Sequence, residues 1–205
     1  MPRVYTVKEI FYTLQGEGAQ AGTPAVFLRF AGCNLWSGRE EDRADAVCQF
    51  CDTDFLGGSR FASAEKLALA VRAESPFAEL VVCTGGEPLL QLDVSLISAL
   101  QSLEFRVAVE TNGTITAPAG LDWICVSPKA DAPFNQRTGD ELKLVFPQPY
   151  LMPEALPEDL QFAHYFLQPM DGSSIAENTR AAIEYCLAHP KWRLSLQTHK
   201  AIGLR

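Results

Sequence analysis

Short apolar runs, each followed by a cluster of polar residues or glycines, recur along the chain. Runs of this length bounded by turn residues predict buried β-strands. The predicted strands are Val4 to Phe11, Ala25 to Phe30, Leu80 to Cys83, Val107 to Val109, Trp123 to Val126, Leu142 to Phe146, Tyr165 to Leu167 and Arg193 to Leu196. Apolar residues at helical spacing predict three helices, which are Ser63 to Glu74 with Ser63 as N-cap, Val94 to Leu103, and Ile175 to His189.

The alternation of strands and helices predicts an α/β fold with parallel strands joined by crossover helices. We expect about six strands in this alternation. The 205 residues fit one domain and fall short of the ~250 residues of a full eight-unit barrel. The expected architecture is therefore a partial, open parallel β/α barrel formed by a single domain, residues 1–205. Ligands bind at the carboxyl ends of the strands in such folds, so the polar clusters should share one rim.

Composition and charge narrow the function classes. The formal net charge of −8 argues against a nucleic-acid-binding surface, which would need clustered Lys and Arg residues. No apolar run approaches the ~18 residues that span a bilayer, and no N-terminal segment has the pattern of a secretion signal. We therefore expect a cytoplasmic protein whose partner is a small molecule, with neither nucleic acid nor membrane involved.

Three of the six cysteines, Cys33, Cys48 and Cys51, lie within residues 33–54, directly after a predicted strand. In a reducing compartment a close C-x-x-C pair indicates metal binding or redox chemistry rather than a disulfide. Three thiolates are one fewer than closed zinc or simple iron-sulfur sites use, so a metal held here would keep one position open. A zinc site is the alternative if Cys83, Cys125 or a histidine supplies a fourth ligand.

The other cysteines and two polar features have simpler interpretations. Cys83, Cys125 and Cys186 lie on apolar segments and are expected in the core. Residues 13–18 combine two glycines with polar groups, which predicts either a ligand-contacting loop or a plain turn. Arg29 lies in a predicted strand, where its charge must face an anion or point out of the sheet.

The cysteine spacing and one glycine-rich segment resemble a known superfamily. Cys48-Gln49-Phe50-Cys51 matches the second half of the motif C-x3-C-x-aromatic-C of the radical S-adenosylmethionine (radical SAM) enzymes. Gly85-Gly86-Glu87-Pro88 resembles the strand end that receives the methionyl amine in that superfamily. The first half of the motif departs from the pattern, because residues 34–47 are inserted between Cys33 and Cys48.

Within the superfamily, the chain is most similar to the ring-contracting enzymes of queuosine and other 7-deazapurine biosynthesis. The shared segments are Phe11 to Gly18, Arg29 to Leu35, Cys51 to Asp54, Thr84 to Pro88, Glu110 to Gly113, Ser127 to Lys129 and Gln197 to Lys200. The resemblance implies a carbon-nitrogen lyase that takes hydrogen from C6 of 6-carboxy-5,6,7,8-tetrahydropterin and forms 7-carboxy-7-deazaguanine with loss of ammonia.

The resemblance also implies the roles of individual residues. Three irons of a 4Fe-4S cluster would be held by Cys33, Cys48 and Cys51, and magnesium would be bound at Thr53. S-adenosylmethionine would be contacted by Phe50, Cys51, Asp52, Gly86, Ser127, Pro128, Lys129, Gln168, Pro169, Met170 and Asp171. The substrate would be contacted by Leu14, Gln15, Gly16, Arg29, Thr84, His199 and the terminal carboxylate of Arg205.

Further implications concern partners and competing functions. The resemblance implies an external flavodoxin-like electron donor and a homodimer. One alternative is another radical SAM enzyme, such as a glycyl-radical activase, which would need neither Arg29 nor the Gln15-Gly16-Glu17 loop. A zinc or electron-transfer module is the other alternative, and it would have a fourth ligand and no glycine-rich cofactor strand.

Overall fold

The computed structural model describes residues 3–204, which form one sheet and four α-helices. The strands are β1 (Tyr5–Leu14), β2 (Pro24–Phe30), β3 (Ser59–Phe61), β4 (Leu80–Gly85), β5 (Arg106–Thr111), β6 (Trp123–Val126), β7 (Thr138–Phe146), β8 (Gln161–Pro169) and β9 (Trp192–Leu194). The helices are α1 (Ala64–Glu74), α2 (Val94–Gln101), α3 (Ile175–Ala188) and α4 (Thr198–Ile202). In these residues, no helix combines the length and the apolar character that crossing a bilayer requires.

The sheet has the order β3-β1-β2-β4-β5-β6-β7-β8-β9. Strand β2 and strands β4 to β9 are parallel, which confirms the open α/β architecture and adds one parallel strand to the expected six. Strand β1 is antiparallel to β2, because residues 15–23 between them are too few for the crossover that parallel strands need. Strand β3 pairs with β1 at the edge and carries too little apolar sequence to be predicted.

Both faces of the central strands are buried. In β4, Val81 and Cys83 pack in the core beneath α1 and α2, whereas Leu80 and Val82 face a smaller interior cluster. Burial on both sides explains the continuous apolar runs, which are typical of parallel strands. A second core lies between α3 and strands β7 to β9. The core assignment is confirmed for Cys83 and Cys125, and Cys186 is half-buried beside the second core.

Several element ends differ from the predicted ones, but the start of α1 does not. Ser63 does cap α1, because its hydroxyl accepts a hydrogen bond from the Lys66 amide at 3.3 Å. Strand β1 runs on to Leu14, so Thr13 and Leu14 lie in the sheet rather than in a loop. The predicted strand through Leu196 stops at Leu194, and the short helix α4 follows it.

Candidate active site

A cavity of about 480 Å³ opens at the carboxyl ends of the parallel strands. It confirms the expected rim, because its lining comes from the ends of β4 to β8, from β1 and β2, and from the cysteine loop. The predicted site residues that line it are Leu14, Gln15, Gly16, Arg29, Cys33, Cys48, Phe50, Cys51, Asp52, Thr53, Thr84, Gly86, Ser127, Lys129, Gln168, Pro169, Met170, Asp171 and His199.

Two predicted residues are not part of this lining. Pro128 is buried behind the end of β6, and its carbonyl accepts a hydrogen bond from Gln148 Nε2 at 3.3 Å. Arg205 lies outside the described residues. The roles assigned to both residues therefore stay predictions.

The glycine-rich end of β4 packs directly against the start of the cysteine loop. A Cβ atom on Gly86 would come within 2.2 Å of the Gly32 carbonyl oxygen and 2.7 Å of Cys33 Cβ. The Glu87 amide donates a hydrogen bond to the same Gly32 carbonyl at 3.0 Å. Only glycine at position 86 allows this approach, so the two matched motifs depend on each other for their geometry.

The buried carboxylate of Glu87 fixes the end of β5 against the end of β4. It accepts hydrogen bonds from Thr111 Oγ1 and from the Asn112 amide, both at 2.8 Å. The Asn112 side chain in turn donates to Asn34 Oδ1 at 3.0 Å. The residue after Cys33 is therefore tied to the same strand ends that line the cavity.

The three cysteines fit an iron-sulfur cluster by their donor type and position. All three line the cavity, and the Cys48 thiol donates a hydrogen bond to Cys51, which lowers the pKa of Cys51 to about 6 and raises that of Cys48. Residues 3–204 contain no trio of His, Cys, Asp or Glu side chains gathered closely enough for a single metal ion. A 4Fe-4S cluster is held by separate thiolates, one on each liganded iron, and the three thiols in the cavity lining supply this donor type.

A buried ion network crosses the floor of the cavity. The ammonium of Lys143, on β7, lies 2.5 Å from Glu17 Oε2 and 3.0 Å from Glu110 Oε2, and the Lys143 side chain is only 3% exposed. Gln15 Nε2 donates to Glu110 Oε1 at 2.7 Å, and Gln197 Nε2 donates to Glu17 Oε1 at 2.9 Å. The network joins the β1–β2 loop, β5, β7 and the segment before α4.

Lys143 and the carboxylates around it keep one another ionised. Burial disfavours the Lys143 ammonium, but the acidic groups Cys125, Glu110, Glu17 and Glu141 raise its pKa well above the usual value. Burial by itself would raise the pKa of Glu17, but the charge of Lys143 and hydrogen bonds from Lys143 and Gln197 lower it to about 2. Both groups are therefore charged at neutral pH.

The β1–β2 loop is also bonded to the C-terminal segment through its backbone. The Gly16 carbonyl accepts hydrogen bonds from the Thr198 amide at 3.1 Å and the Thr198 hydroxyl at 2.8 Å. A Cβ atom on Gly16 would come within 2.2 Å of His199 Nδ1. Two predicted substrate residues, Gly16 and His199, are thus in contact although most of the chain separates them in sequence.

Ion pairs made by Arg29 and Lys200 also border the cavity. Arg29 Nε donates to Glu9 Oε1 at 2.8 Å, which uses one of the five N–H donors of the guanidinium. Lys200 Nζ lies 2.5 Å from Asp52 Oδ2 and 2.6 Å from Asp171 Oδ2. Lys200 thereby connects two predicted cofactor-binding residues that come from different loops.

Sequence reasoning missed the residues that hold this site together. Lys143, Gln197, Lys200 and Glu110 line the cavity but were not among the predicted site residues. Lys143 did carry a signal, because a lysine inside a predicted buried strand needs anionic partners. Which carboxylates pair with it depends on tertiary contacts that no local pattern contains.

Comparison with known proteins adds a family-level finding. Residues 43–187 match the family model of the Radical SAM superfamily, a region that includes Cys48 and Cys51 and excludes Cys33. The chain is 64% identical to the 7-carboxy-7-deazaguanine synthase of Caulobacter vibrioides and 61% identical to that of Bordetella pertussis, in each case over 98% of this chain and 99% of the relative. The crystal structure of QueE from Escherichia coli superimposes with a TM-score of 0.70 and 30% identity, covering 94% of this chain and 93% of that one.

The low pKa of Glu17 predicts a pH-dependent contribution to stability. Because its pKa in the folded protein, about 2, lies below the ordinary value of 4.5, ionised Glu17 stabilises the fold above pH 4.5, and this contribution is lost as the pH falls towards 2. We expect Glu17→Gln to lower the free energy of unfolding by ~3 kcal/mol at pH 7. Urea unfolding of wild type and variant should show the difference shrinking between pH 4.5 and 2.5.

A matched control separates this effect from a general loss of acidic charge. Glu184 is exposed on α3, so Glu184→Gln should leave the free energy of unfolding within about 0.5 kcal/mol of wild type at every pH. A Glu17→Gln deficit that stayed constant down to pH 2.5 would contradict the ionised, paired state of Glu17.

Proposed function

We propose that this chain, which belongs to the Radical SAM superfamily and within it to the 7-carboxy-7-deazaguanine synthases, converts 6-carboxy-5,6,7,8-tetrahydropterin to 7-carboxy-7-deazaguanine with loss of ammonia. The observation that carries the proposal is the meeting of the three cysteines, the Gly85-Gly86 strand end and the predicted substrate residues in one cavity. A glycyl-radical activase would act on a protein surface and has no use for this enclosed set of polar groups.

The cofactor end of the cavity is formed by the cysteine loop and the ends of β4, β6 and β8. We propose that Cys33, Cys48 and Cys51 hold the cluster and that Gly86, which lines the cavity beside Cys33, receives the methionyl group. The cluster and S-adenosylmethionine, when bound, supply the one-electron chemistry that starts the reaction. Lys129, whose ammonium bonds to the Ser127 hydroxyl at 2.8 Å, places positive charge beside Cys48 and Cys51.

The substrate end of the cavity is formed by the β1–β2 loop, β2 and the C-terminal segment. We propose that the Arg29 guanidinium binds the substrate carboxylate with donors other than the Nε that faces Glu9. The ring system of the substrate would be oriented by Gln15, Gly16 and His199. Gln15 is bonded to Glu110, and Gly16 is in contact with the Thr198–His199 segment, which supports a site whose shape exists before the substrate binds. Thr84 would contact the substrate from the end of β4.

Magnesium is part of the proposal at Thr53. Its hydroxyl is an oxygen donor at the cavity wall, and Mg²⁺ characteristically takes few protein ligands and completes its octahedral shell with water and substrate. Asp52 beside it is paired with Lys200. We therefore assign the protein's contribution to the Thr53 side chain.

The remaining assignments concern the cellular setting. We propose an external one-electron donor of the flavodoxin type, a homodimer, and a cytoplasmic location. All six cysteines are free thiols, and a reducing compartment keeps thiols available to hold a cluster. The donor and the dimer rest on the family resemblance.

Anaerobic reconstitution tests the proposed reaction. The protein is loaded with iron and sulfide, reduced, and supplied with S-adenosylmethionine, 6-carboxytetrahydropterin and magnesium. We expect 7-carboxy-7-deazaguanine to form, and each of the variants Cys33→Ala, Cys48→Ala and Cys51→Ala to lose product because one iron loses its ligand. Cys83→Ala, a buried cysteine outside the cavity, is the control and should keep activity. Release of 5'-deoxyadenosine without the deazaguanine would refute the substrate assignment alone.

The variant Thr53→Ala tests the magnesium site. Removing the hydroxyl should raise the magnesium concentration for half-maximal activity about tenfold or more, because a direct oxygen ligand is lost, while iron content stays unchanged. Thr53→Ser, which keeps the hydroxyl, should behave like wild type in a magnesium titration. Equal loss of iron and of magnesium response in Thr53→Ala would show that the residue supports the loop rather than the ion.

A further inference from the structure

We propose that Arg43, within the insertion 34–47, is a positioning residue that holds the second half of the cysteine loop in its cluster-binding shape. The inference rests on the proposed function, because it assumes that the loop receives a 4Fe-4S cluster. It gives the insertion a physical role that the usual short spacing between first and second cysteines does not require.

The guanidinium of Arg43 bonds to the backbone on both sides of Phe50. Its Nη1 donates to the Gln49 carbonyl at 2.9 Å and to the Cys51 carbonyl at 3.1 Å. These two carbonyls belong to the C-x-x-C segment that carries two of the three thiols. One side chain from the insertion therefore fixes the backbone from which Cys51 projects into the cavity.

Arg43 is itself held from two further directions. Its Nε lies 2.8 Å from both carboxylate oxygens of Glu40, one turn earlier in the 3-10 helix Glu40–Asp45. The guanidinium carbon lies 4.1 Å from the centre of the Trp36 ring, a distance that favours a cation-π contact. These contacts fix the orientation of the Arg43 guanidinium, although the side chain is 28% exposed.

Trp36, which contacts Arg43, is itself packed in the protein interior. The ring is buried, with 8% of its surface exposed, and it meets Phe55 edge-on with the ring centres 5.6 Å apart. Its Nε1 donates to the Arg39 carbonyl at 3.1 Å. Trp36 also lines the cavity, so the support for Arg43 reaches from the insertion to the wall of the site.

Backbone bonds close the insertion on itself. The amides of Val47 and Cys48 both donate to the Leu35 carbonyl, at 3.1 Å and 3.4 Å. This bond pair brings the residues after Cys33 beside Cys48 despite the long sequence between them. The insertion therefore behaves as a folded unit whose Arg43 reaches across to the last cysteine.

Loss of Arg43 would act on cluster retention and on reduction potential. Without Arg43, the Gln49 and Cys51 carbonyls would lose their hydrogen-bond donor, and the loop would be less ordered before the cluster binds. Binding the cluster would then have to order the loop, which lowers the affinity for the cluster. Removing a positive charge that is hydrogen-bonded to the Gln49 and Cys51 carbonyls would also disfavour the reduced, more negative cluster, because net charge around a cluster sets its potential. A residue that only stabilised the surface would move neither quantity.

The insertion supplies its own control in Arg39. Its guanidinium pairs only loosely with Glu41, at 3.8 Å, and both side chains are largely exposed, at 67% and 76%. Arg43→Gln and Arg39→Gln each replace an arginine of the insertion with glutamine, so both variants lose one positive charge. Arg43→Lys keeps the charge without the planar fork and therefore separates charge from hydrogen bonding.

The test compares these variants with wild type after anaerobic reconstitution. We measure iron and sulfide per chain, the rate at which a chelator removes iron, and the midpoint potential and EPR spectrum of the reduced cluster. We expect Arg43→Gln to lose iron about tenfold faster than wild type, with a more negative potential. Arg43→Lys should recover the potential more fully than the retention of iron, and Arg39→Gln should match wild type in both.

The outcomes separate this proposal from the proposed function. Wild type and Arg39→Gln holding a 4Fe-4S cluster, with faster iron loss in Arg43→Gln and Arg43→Lys, would support the role of Arg43. Iron retention and potential in both Arg43 variants equal to wild type would overturn that role while leaving the proposed function intact. Absence of a 4Fe-4S cluster in wild type would overturn both together.

Discussion

The buried ammonium of Lys143 is the interaction on which the rest of the site depends. A lysine in the middle of a parallel strand is tolerated only where anions meet it, and here Glu17 and Glu110 lie at 2.5 Å and 3.0 Å. One carboxylate comes from the loop after β1 and the other from the end of β5. Satisfying one buried charge therefore requires two distant parts of the chain to meet over the cavity.

This meeting also links the two ends of the open sheet across the site. Strands β1 and β9 lie towards opposite ends of the sheet order, yet the Gly18 amide donates to Ser195 Oγ, just beyond β9, at 2.9 Å. The loop and the C-terminal segment thus bridge the gap that a full barrel would fill with further strands. The cysteine loop approaches from the other side, where Gly86 allows close contact with the Gly32 carbonyl.

Local patterns were sufficient for much of this structure. Apolar runs predicted the parallel strands, Ser63 predicted the start of α1, and the polar clusters after the strands predicted the shared rim where the cysteines and Gly86 lie. The partners of long polar side chains were not predictable, because Lys143, Lys200 and Arg43 find their anions or carbonyls through tertiary contacts. The antiparallel direction of β1 follows from a short connection, whereas the pairing of β3 follows only from the folded sheet.

Hydrogen exchange of the variant Lys143→Met tests the central claim most directly. Without the ammonium, the largely buried carboxylates of Glu17 and Glu110 lose their counter-ion. Local opening should then raise amide exchange about tenfold or more at residues 15–19 and 195–199, while the core of α1 exchanges as in wild type. Lys66→Met, an exposed change on α1, should leave both segments protected. Unchanged protection of both segments in folded Lys143→Met would contradict the claim that this buried charge holds the two segments together.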